Sequence, residues 1–131
     1  MADEKETKGV RTILNFGHTV GHAIEAASGF DLYHHGEAIA LGMRIASEMS
    51  LQLKMVSQND VAKINVLLSL VGLPEEIKRL KISAILRMMQ HDKKFVRGKN
   101  RFVLVKSIGR VEVKKDIPLP IVTSAIKTFL K

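Results

Sequence analysis

The chain has 131 residues, of which 46% are hydrophobic, and it carries a formal net charge of +8. This length suits one domain with a substantial core, and no run of about 18 apolar residues predicts a membrane span. The absence of cysteine excludes disulfides and thiolate chemistry. Because the N-terminus is charged and lacks an apolar signal region, we expect a cytoplasmic protein.

The positive charge has three explanations: solubility, nucleic-acid binding, or a small anionic substrate. Tryptophan is absent and there is one tyrosine, so the aromatic and basic residues do not interleave as they do in proteins that stack bases. The lysines are scattered, with a modest concentration from Lys93 to Arg101. We therefore expect neither a nucleic-acid nor a membrane partner, whereas a phosphate or carboxylate ligand would need only a few of these cations.

The first predicted helix runs from about Thr12 to Ser28 and is ended by Gly29. At about 100° per residue it sorts into two faces. One face is apolar, and the other is a stripe roughly 80° wide that holds a cation, an amide, two imidazoles and a carboxylate: Arg11, Asn15, His18, His22 and Glu25. A face that only contacted water would more often use lysine, glutamate and glutamine, which are better helix formers.

Two glycines, Gly17 and Gly21, precede the two histidines of this stripe with the same spacing of four residues. Each glycine costs a helix about 1 kcal/mol relative to alanine. The pair therefore predicts close approach by another backbone or by a ligand.

A loop from Phe30 to His35 leads to a second predicted helix, from Gly36 or Glu37 to about Lys54, which is apolar on nearly every side and should be buried. The loop could return His34 or His35 to the histidines of the first helix. Three groups from two elements would suffice for a catalytic zinc with an open position.

The histidine pair by itself is weak evidence for a metal. His18 and His22 are spaced as HxxxH, and Thr19 takes the place of the glutamate in the zinc-protease pattern HExxH. Paired histidines on helices are often surface residues or hydrogen-bonded core residues. Glu25 and Glu37 could be ligands, partners of an imidazole, or structural residues; we favour a structural role for Glu25 and a cap or imidazole partner for Glu37.

The rest of the chain predicts a mostly helical domain of about six helices with one small β-hairpin. Ser57 caps a third helix, Pro74 opens a fourth and Ser83 caps a fifth. A turn then leads into the hairpin, whose own tight turn lies at Ile108-Gly109. The third, fourth and fifth helices are predicted over Asn59–Val71, residues 74–80 and residues 84–92. The strands are predicted over Arg101–Lys106 and Arg110–Lys114, and a last helix over Ile121–Leu130.

Several stretches together resemble 3-dehydroquinate synthase, a sugar-phosphate cyclase. The first is RTILNFGHTVGHAIE over Arg11–Glu25, and the others, in the same order as in that family, are His35–Ala38, Gly42-Met43, Asp92–Lys94 and Arg101–Leu104. The resemblance covers essentially the whole chain but only the C-terminal half of the family. Its N-terminal, Rossmann-like NAD-binding domain has no counterpart here, so Met1 directly before this sequence suggests a shortened chain.

The resemblance implies a carbon–oxygen lyase of the shikimate pathway to aromatic amino acids. The family converts 3-deoxy-arabino-heptulosonate 7-phosphate to 3-dehydroquinate, using NAD and a divalent metal, usually Zn2+ but also another ion such as Co2+. By motif position the metal ligands are His18 and His35, joined in the family by a glutamate of the other half, and His22 is the catalytic histidine. The implied substrate-binding residues are Arg11 and Asn15 for the phosphate, with Lys93 or Lys94.

We therefore expect a metal- and substrate-binding domain that does not turn over alone and that forms a homodimer as the full-length enzyme. The alternatives are a domain of another cyclase such as 2-deoxy-scyllo-inosose synthase, which shares the block LNFGHTxGHA, a basic helical binding module, and a purely structural helical domain. A binding module predicts steep salt dependence, and a structural domain predicts no stabilisation by metal.

Overall fold

The computed structural model describes residues 17–29, 33–90, 101–107 and 110–131. In these ranges the chain forms five helices and one two-stranded antiparallel sheet, which confirms the predicted fold class. None of these helices is both long enough and apolar enough to span a bilayer. The elements are α1 (His18–Ala27), α2 (His35–Gln52), α3 (Gln58–Leu70), α4 (Ile82–Gln90), β1 (Arg101–Ser107), β2 (Arg110–Lys115) and α5 (Leu119–Phe129).

Helix α2 is the centre of the domain. Helices α1, α3 and α5 and strand β1 all pack against it, and α4 completes the core against α1 and α5. Leu41, Ile45 and Met49 of α2 are fully buried, which confirms the prediction of a buried second helix and follows from its apolar residues on nearly every side. The main core cluster also includes Ile24 of α1 and Ile126 of α5.

The backbones of α1 and α2 touch where three glycines meet. A Cβ atom on Gly42 would overlap the carbonyl oxygen of Gly17 and lie 2.7 Å from the amide nitrogen of Gly21, and one on Gly21 would lie 3.0 Å from the carbonyl oxygen of Ala38. This contact confirms the close approach that Gly17 and Gly21 predict. Glycine is needed on both helices because any side chain would separate them.

The continuous first helix predicted from Thr12 is wrong at Gly17. Gly17 has φ +81 and ψ −6, a left-handed conformation, and the helix begins after it at His18. Its apolar face is confirmed for the described part, since Val20 and Ile24 are buried. The predicted residues before Gly17 lie outside the described residues.

Helix α3 begins as predicted, because the Oγ atom of Ser57 accepts a hydrogen bond of 3.1 Å from the amide of Asp60. The fourth predicted helix, over residues 74–80, is wrong. Ile77 forms a parallel bridge with Leu130: its N–H donates to Phe129 at 2.7 Å and its carbonyl accepts from Lys131 at 3.0 Å. These long-range bonds replace helical ones, and the Ile77 side chain is buried.

The cap predicted for the next helix is also wrong. Helix α4 starts at Ile82, so Ser83 lies in its first turn. The carbonyl of Lys81 instead accepts the first helical hydrogen bonds, from Ala84 and Ile85.

The predicted hairpin is confirmed. Val103 pairs with Val113, and the register shifts between Val105 and Ser107. Phe102 and Leu104 are buried in the main core, so one face of β1 closes the domain over α2. The two predicted turns, at Phe95–Asn100 and Ile108-Gly109, lie outside the described residues.

Candidate metal and substrate site

Three imidazoles converge where α1 faces the start of α2. The ring centroid of His22 lies 5.2 Å from that of His18 and 5.7 Å from that of His35, and the centroids of His18 and His35 are 6.2 Å apart. His18 and His22 share one face of α1, as predicted, and His35 returns from the loop to the same place. The sequence therefore predicted the gathering of these three rings.

The carboxylate of Glu25 lies between two of the rings. Its Oε1 atom is 3.0 Å from Nδ1 of His35 and 3.7 Å from Nδ1 of His22. The Glu25 side chain is 14% exposed, whereas those of His22 and His35 are 54% and 58% exposed. The structural role favoured for Glu25 therefore needs correction, because its carboxylate is hydrogen-bonded within the histidine cluster.

The donor set fits a zinc-type metal. The nearest donor atoms of His22, Glu25 and His35 all lie within 4.8 Å of one another, and imidazole nitrogen with carboxylate oxygen is a common zinc ligand set. Zinc–nitrogen bonds of about 2.0–2.1 Å place the centroids of two ligating imidazoles roughly 5 to 6 Å apart. The spacings of His22 from His18 and from His35 fall within this range, and the 6.2 Å between His18 and His35 lies just above it.

Local structure on each side holds His35 in place. The backbone N–H of His34 donates to Oε1 of Glu37 at 2.9 Å, which confirms Glu37 as a cap of α2. On the loop side, the hydroxyl of Tyr33 accepts a hydrogen bond of 2.7 Å from the amide of Lys78. The glycine contact then fixes the distance between α1 and α2.

Four of the predicted site residues lie outside the described residues: Arg11, Asn15, Lys93 and Lys94. Their assignment as substrate-binding residues stays a prediction. The division of roles within the cluster, with His18 and His35 as ligands and His22 as the catalytic group, also stays a prediction.

One buried cation was missed by the sequence reasoning. Arg44 is 2% exposed, and its guanidinium donates to the carbonyls of Pro74 and Asn65 and to the hydroxyl of Ser69, at 2.9 to 3.1 Å. Burial lowers the pKa of Arg44, and the Glu75 carboxylate partly opposes that shift. The available signal was a single arginine within the otherwise apolar stretch Ala38–Ala46.

Comparison with known proteins identifies the family of the chain. Residues 1–95 match the family described as 3-dehydroquinate synthase C-terminal. The 3-dehydroquinate synthase of Desulforamulus reducens is 51% identical over 116 residues, which are 88% of this chain and 32% of the relative. That of Acaryochloris marina is 41% identical over 129 residues, 98% of this chain and 34% of the relative. The chain thus spans about a third of the length of these relatives.

Two solved structures share the fold. A 2-deoxy-scyllo-inosose synthase complexed with carbaglucose-6-phosphate, NAD+ and Co2+ superposes with a TM-score of 0.79 at 26% identity, over 90% of this chain and 35% of that one. A 2-epi-5-epi-valiolone synthase from Streptomyces hygroscopicus with NAD+ and Zn2+ gives 0.77 at 19% identity, over 88% and 32%, a likeness of fold alone. Together with the match over residues 1–95, the identity to curated relatives establishes that this chain belongs to the 3-dehydroquinate synthase C-terminal family.

Proposed function

We propose that this chain is the metal- and substrate-binding domain of a 3-dehydroquinate synthase. That enzyme would convert 3-deoxy-arabino-heptulosonate 7-phosphate to 3-dehydroquinate and phosphate in the shikimate pathway. The observation that supports this most directly is the convergence of His18, His22 and His35 around the Glu25 carboxylate. The choice of this reaction is based on the relatives named 3-dehydroquinate synthase, which are 51% and 41% identical to this chain.

Within the site, His18 and His35 would hold the metal. A bound Zn2+ or Co2+ ion would polarise the substrate hydroxyls, and NAD held mainly by another domain would accept and return a hydride. His22, whose Nδ1 lies 3.7 Å from Glu25, would hold or move a proton at its other ring nitrogen. The His22 side chain is 54% exposed and therefore accessible to a substrate.

The phosphate of the substrate would be held by cations and amides of this chain. We assign Arg11 and Asn15 to it, with Lys93 or Lys94, on the family resemblance. Charge-assisted hydrogen bonds from such groups fix an anion firmly and would orient it for elimination.

The chain spans about a third of its relatives, and we propose that the NAD-binding domain and a third metal ligand come from an N-terminal part. The isolated chain should then release no phosphate from substrate with NAD and zinc, and adding the N-terminal part in trans should restore release. His22→Ala in the restored enzyme should abolish release while zinc remains bound. Turnover by the isolated chain would contradict the proposal. Light scattering of the restored enzyme would test the expected homodimer.

The metal site can be tested on this chain alone by calorimetric titration with zinc. His35→Ala and His18→Ala should weaken zinc binding, whereas His34→Ala, an exposed neighbour, should leave it unchanged. Binding should also weaken as the pH is lowered, because zinc requires deprotonated imidazoles. Equal affinities in the three variants would contradict a metal site at these residues.

A second candidate function is that of 2-deoxy-scyllo-inosose synthase, which the superposition at a TM-score of 0.79 favours. The restored enzyme should be assayed with 3-deoxy-arabino-heptulosonate 7-phosphate and with glucose 6-phosphate, the sugar that carbaglucose-6-phosphate mimics. The higher identity to the 3-dehydroquinate synthases leads us to expect phosphate release from the former only.

A further inference from the structure

We infer that Glu25 is a positioning residue for His35: it holds the proton of that imidazole on Nδ1 and thereby presents Nε2 to the metal. The inference rests on the proposed function only for the presence of the metal. It starts from the hydrogen bond of 3.0 Å between Oε1 of Glu25 and Nδ1 of His35, which joins two different helices.

The chemistry of the two groups sets the direction of this bond. An ionised carboxylate only accepts, so the bond requires the proton on Nδ1 of His35. A neutral imidazole has one N–H, which leaves the lone pair of Nε2 free to bind a metal. Carboxylates that accept from the second nitrogen of a ligating histidine fix its tautomer and raise its basicity.

Burial is in keeping with this role. The Glu25 side chain is 14% exposed and that of His35 is 58% exposed, so the imidazole is the more accessible of the two groups to an incoming metal. The same oxygen lies 3.7 Å from Nδ1 of His22, too far for a hydrogen bond. Glu25 therefore acts mainly on His35, although a direct metal–carboxylate bond is a distinct outcome of the test below.

The glycine contact between α1 and α2 fixes how far the Glu25 side chain must extend to reach His35. The contact of Gly42 with Gly17 and Gly21 holds α1 against α2, so neither helix can shift to restore a lost hydrogen bond. Glu25→Gln keeps the length of the side chain and an oxygen acceptor but removes the charge. Glu25→Ala removes the acceptor altogether.

The first measurement is the tautomer of His35 in the metal-free chain at about pH 8.5, where imidazoles are neutral. Long-range proton–nitrogen NMR correlations distinguish protonated Nδ1 from protonated Nε2. We expect Nδ1–H in the wild type, a weaker preference in Glu25→Gln, whose amide can either accept from or donate to Nδ1, and loss of the preference in Glu25→Ala. The control is Glu48→Ala, on α2 but about 20 Å along it from His35, which should leave the tautomer unchanged.

The second measurement is metal binding by the same chains. Zinc affinity should fall by about 10- to 100-fold in Glu25→Ala, fall less in Glu25→Gln, and stay constant in Glu48→Ala. The visible spectrum of bound Co2+ should keep its shape in Glu25→Gln, because the ligands themselves are unchanged. Circular dichroism of each variant checks that the helices are retained, and Glu25→Gln keeps the test valid if Glu25→Ala unfolds.

Two results would overturn the inference. One is an unchanged tautomer and zinc affinity in a folded Glu25→Ala, which would make the hydrogen bond irrelevant. The other is an altered Co2+ spectrum in Glu25→Gln, which would make Glu25 a ligand. If the wild type binds no zinc but the tautomer still depends on Glu25, the metal function proposed above fails while the positioning of His35 is supported.

Discussion

The Oγ atom of Ser50 accepts a hydrogen bond of 2.8 Å from the backbone N–H of Val105, and so joins the central helix to the hairpin. The same hydroxyl donates to the carbonyl of Ala46 at 2.8 Å. Ser50 is fully buried, so water cannot replace it as a partner of the strand.

Replacing Ser50 by alanine should therefore destabilise the domain by about 2 kcal/mol, because a buried N–H loses its acceptor. Ser47→Ala is the matched control. Ser47 is equally buried on the same helix and donates to Met43 at 2.8 Å, within α2, so its loss should cost roughly 0.5 kcal/mol. Urea unfolding measures both variants, and faster hydrogen exchange at Val105 should appear only in Ser50→Ala. Equal effects would show that the link to the strand contributes nothing.

The glycine contact predicts opposite effects for two substitutions on α2. Gly42→Ala would press a methyl group into the carbonyl of Gly17 and should destabilise the domain by about 3 kcal/mol. Gly36→Ala meets nothing within 4 Å and should stabilise it by about 0.5 kcal/mol through helix propensity. Thermal unfolding distinguishes the two, and a Gly42→Ala as stable as the wild type would refute the close approach.

Arg44 should prove structural. Its replacement by methionine removes the donors to Pro74, Asn65 and Ser69 and should destabilise the domain by about 2–3 kcal/mol. Lysine keeps the charge but not the planar fork of donors, so Arg44→Lys should recover less than half of that loss. Arg87→Met is the exposed control and should change the free energy of unfolding by less than about 0.5 kcal/mol.

Tyr33 lies two residues before His35 and is hydrogen-bonded to Lys78 in the 74–80 segment. We therefore expect Tyr33 to contribute both to stability and to the position of His35. Tyr33→Phe removes the acceptor of the Lys78 amide and should lower the free energy of unfolding by about 1 kcal/mol. We also expect weaker zinc binding, since the loop before α2 loses its anchor. Lys78→Ala keeps the backbone amide and should have no effect on either quantity. If both variants behave alike, the tyrosine hydroxyl does not anchor the loop.

Local sequence signals predicted much of the fold. The apolar run of the second helix, the Ser57 cap and the alternation of the hairpin strands each act within a few residues, and each is confirmed. The helix predicted over residues 74–80 is wrong because Ile77 pairs with Leu130, about fifty residues later in the chain. No local sequence pattern contains that partner. The helix predicted to continue through Gly17 is wrong there, because glycine can adopt both the helical conformation and the left-handed conformation found before a helix.

The candidate site was predictable to a similar extent. His18, His22 and Glu25 follow from helical spacing alone, and His35 from the loop that returns it. The partner of Glu25 does not follow, because the distance from α1 to His35 is set by how closely two backbones approach. Arg44 was missed for a related reason: its acceptors come from α3 and the following loop, which the sequence of α2 does not specify.

Because of the contact between Gly17, Gly21 and Gly42, the conformational entropy cost of bringing the site residues together falls on folding and not on ligand binding. Two helices whose backbones touch cannot slide or separate without breaking the core, so the imidazoles on them are brought together while the chain folds. In the proposed metal site, an incoming ion would then meet imidazoles that are already gathered, and its binding would not have to order them. The three glycines contribute no side chain to that site, but they would raise its affinity by preorganising it.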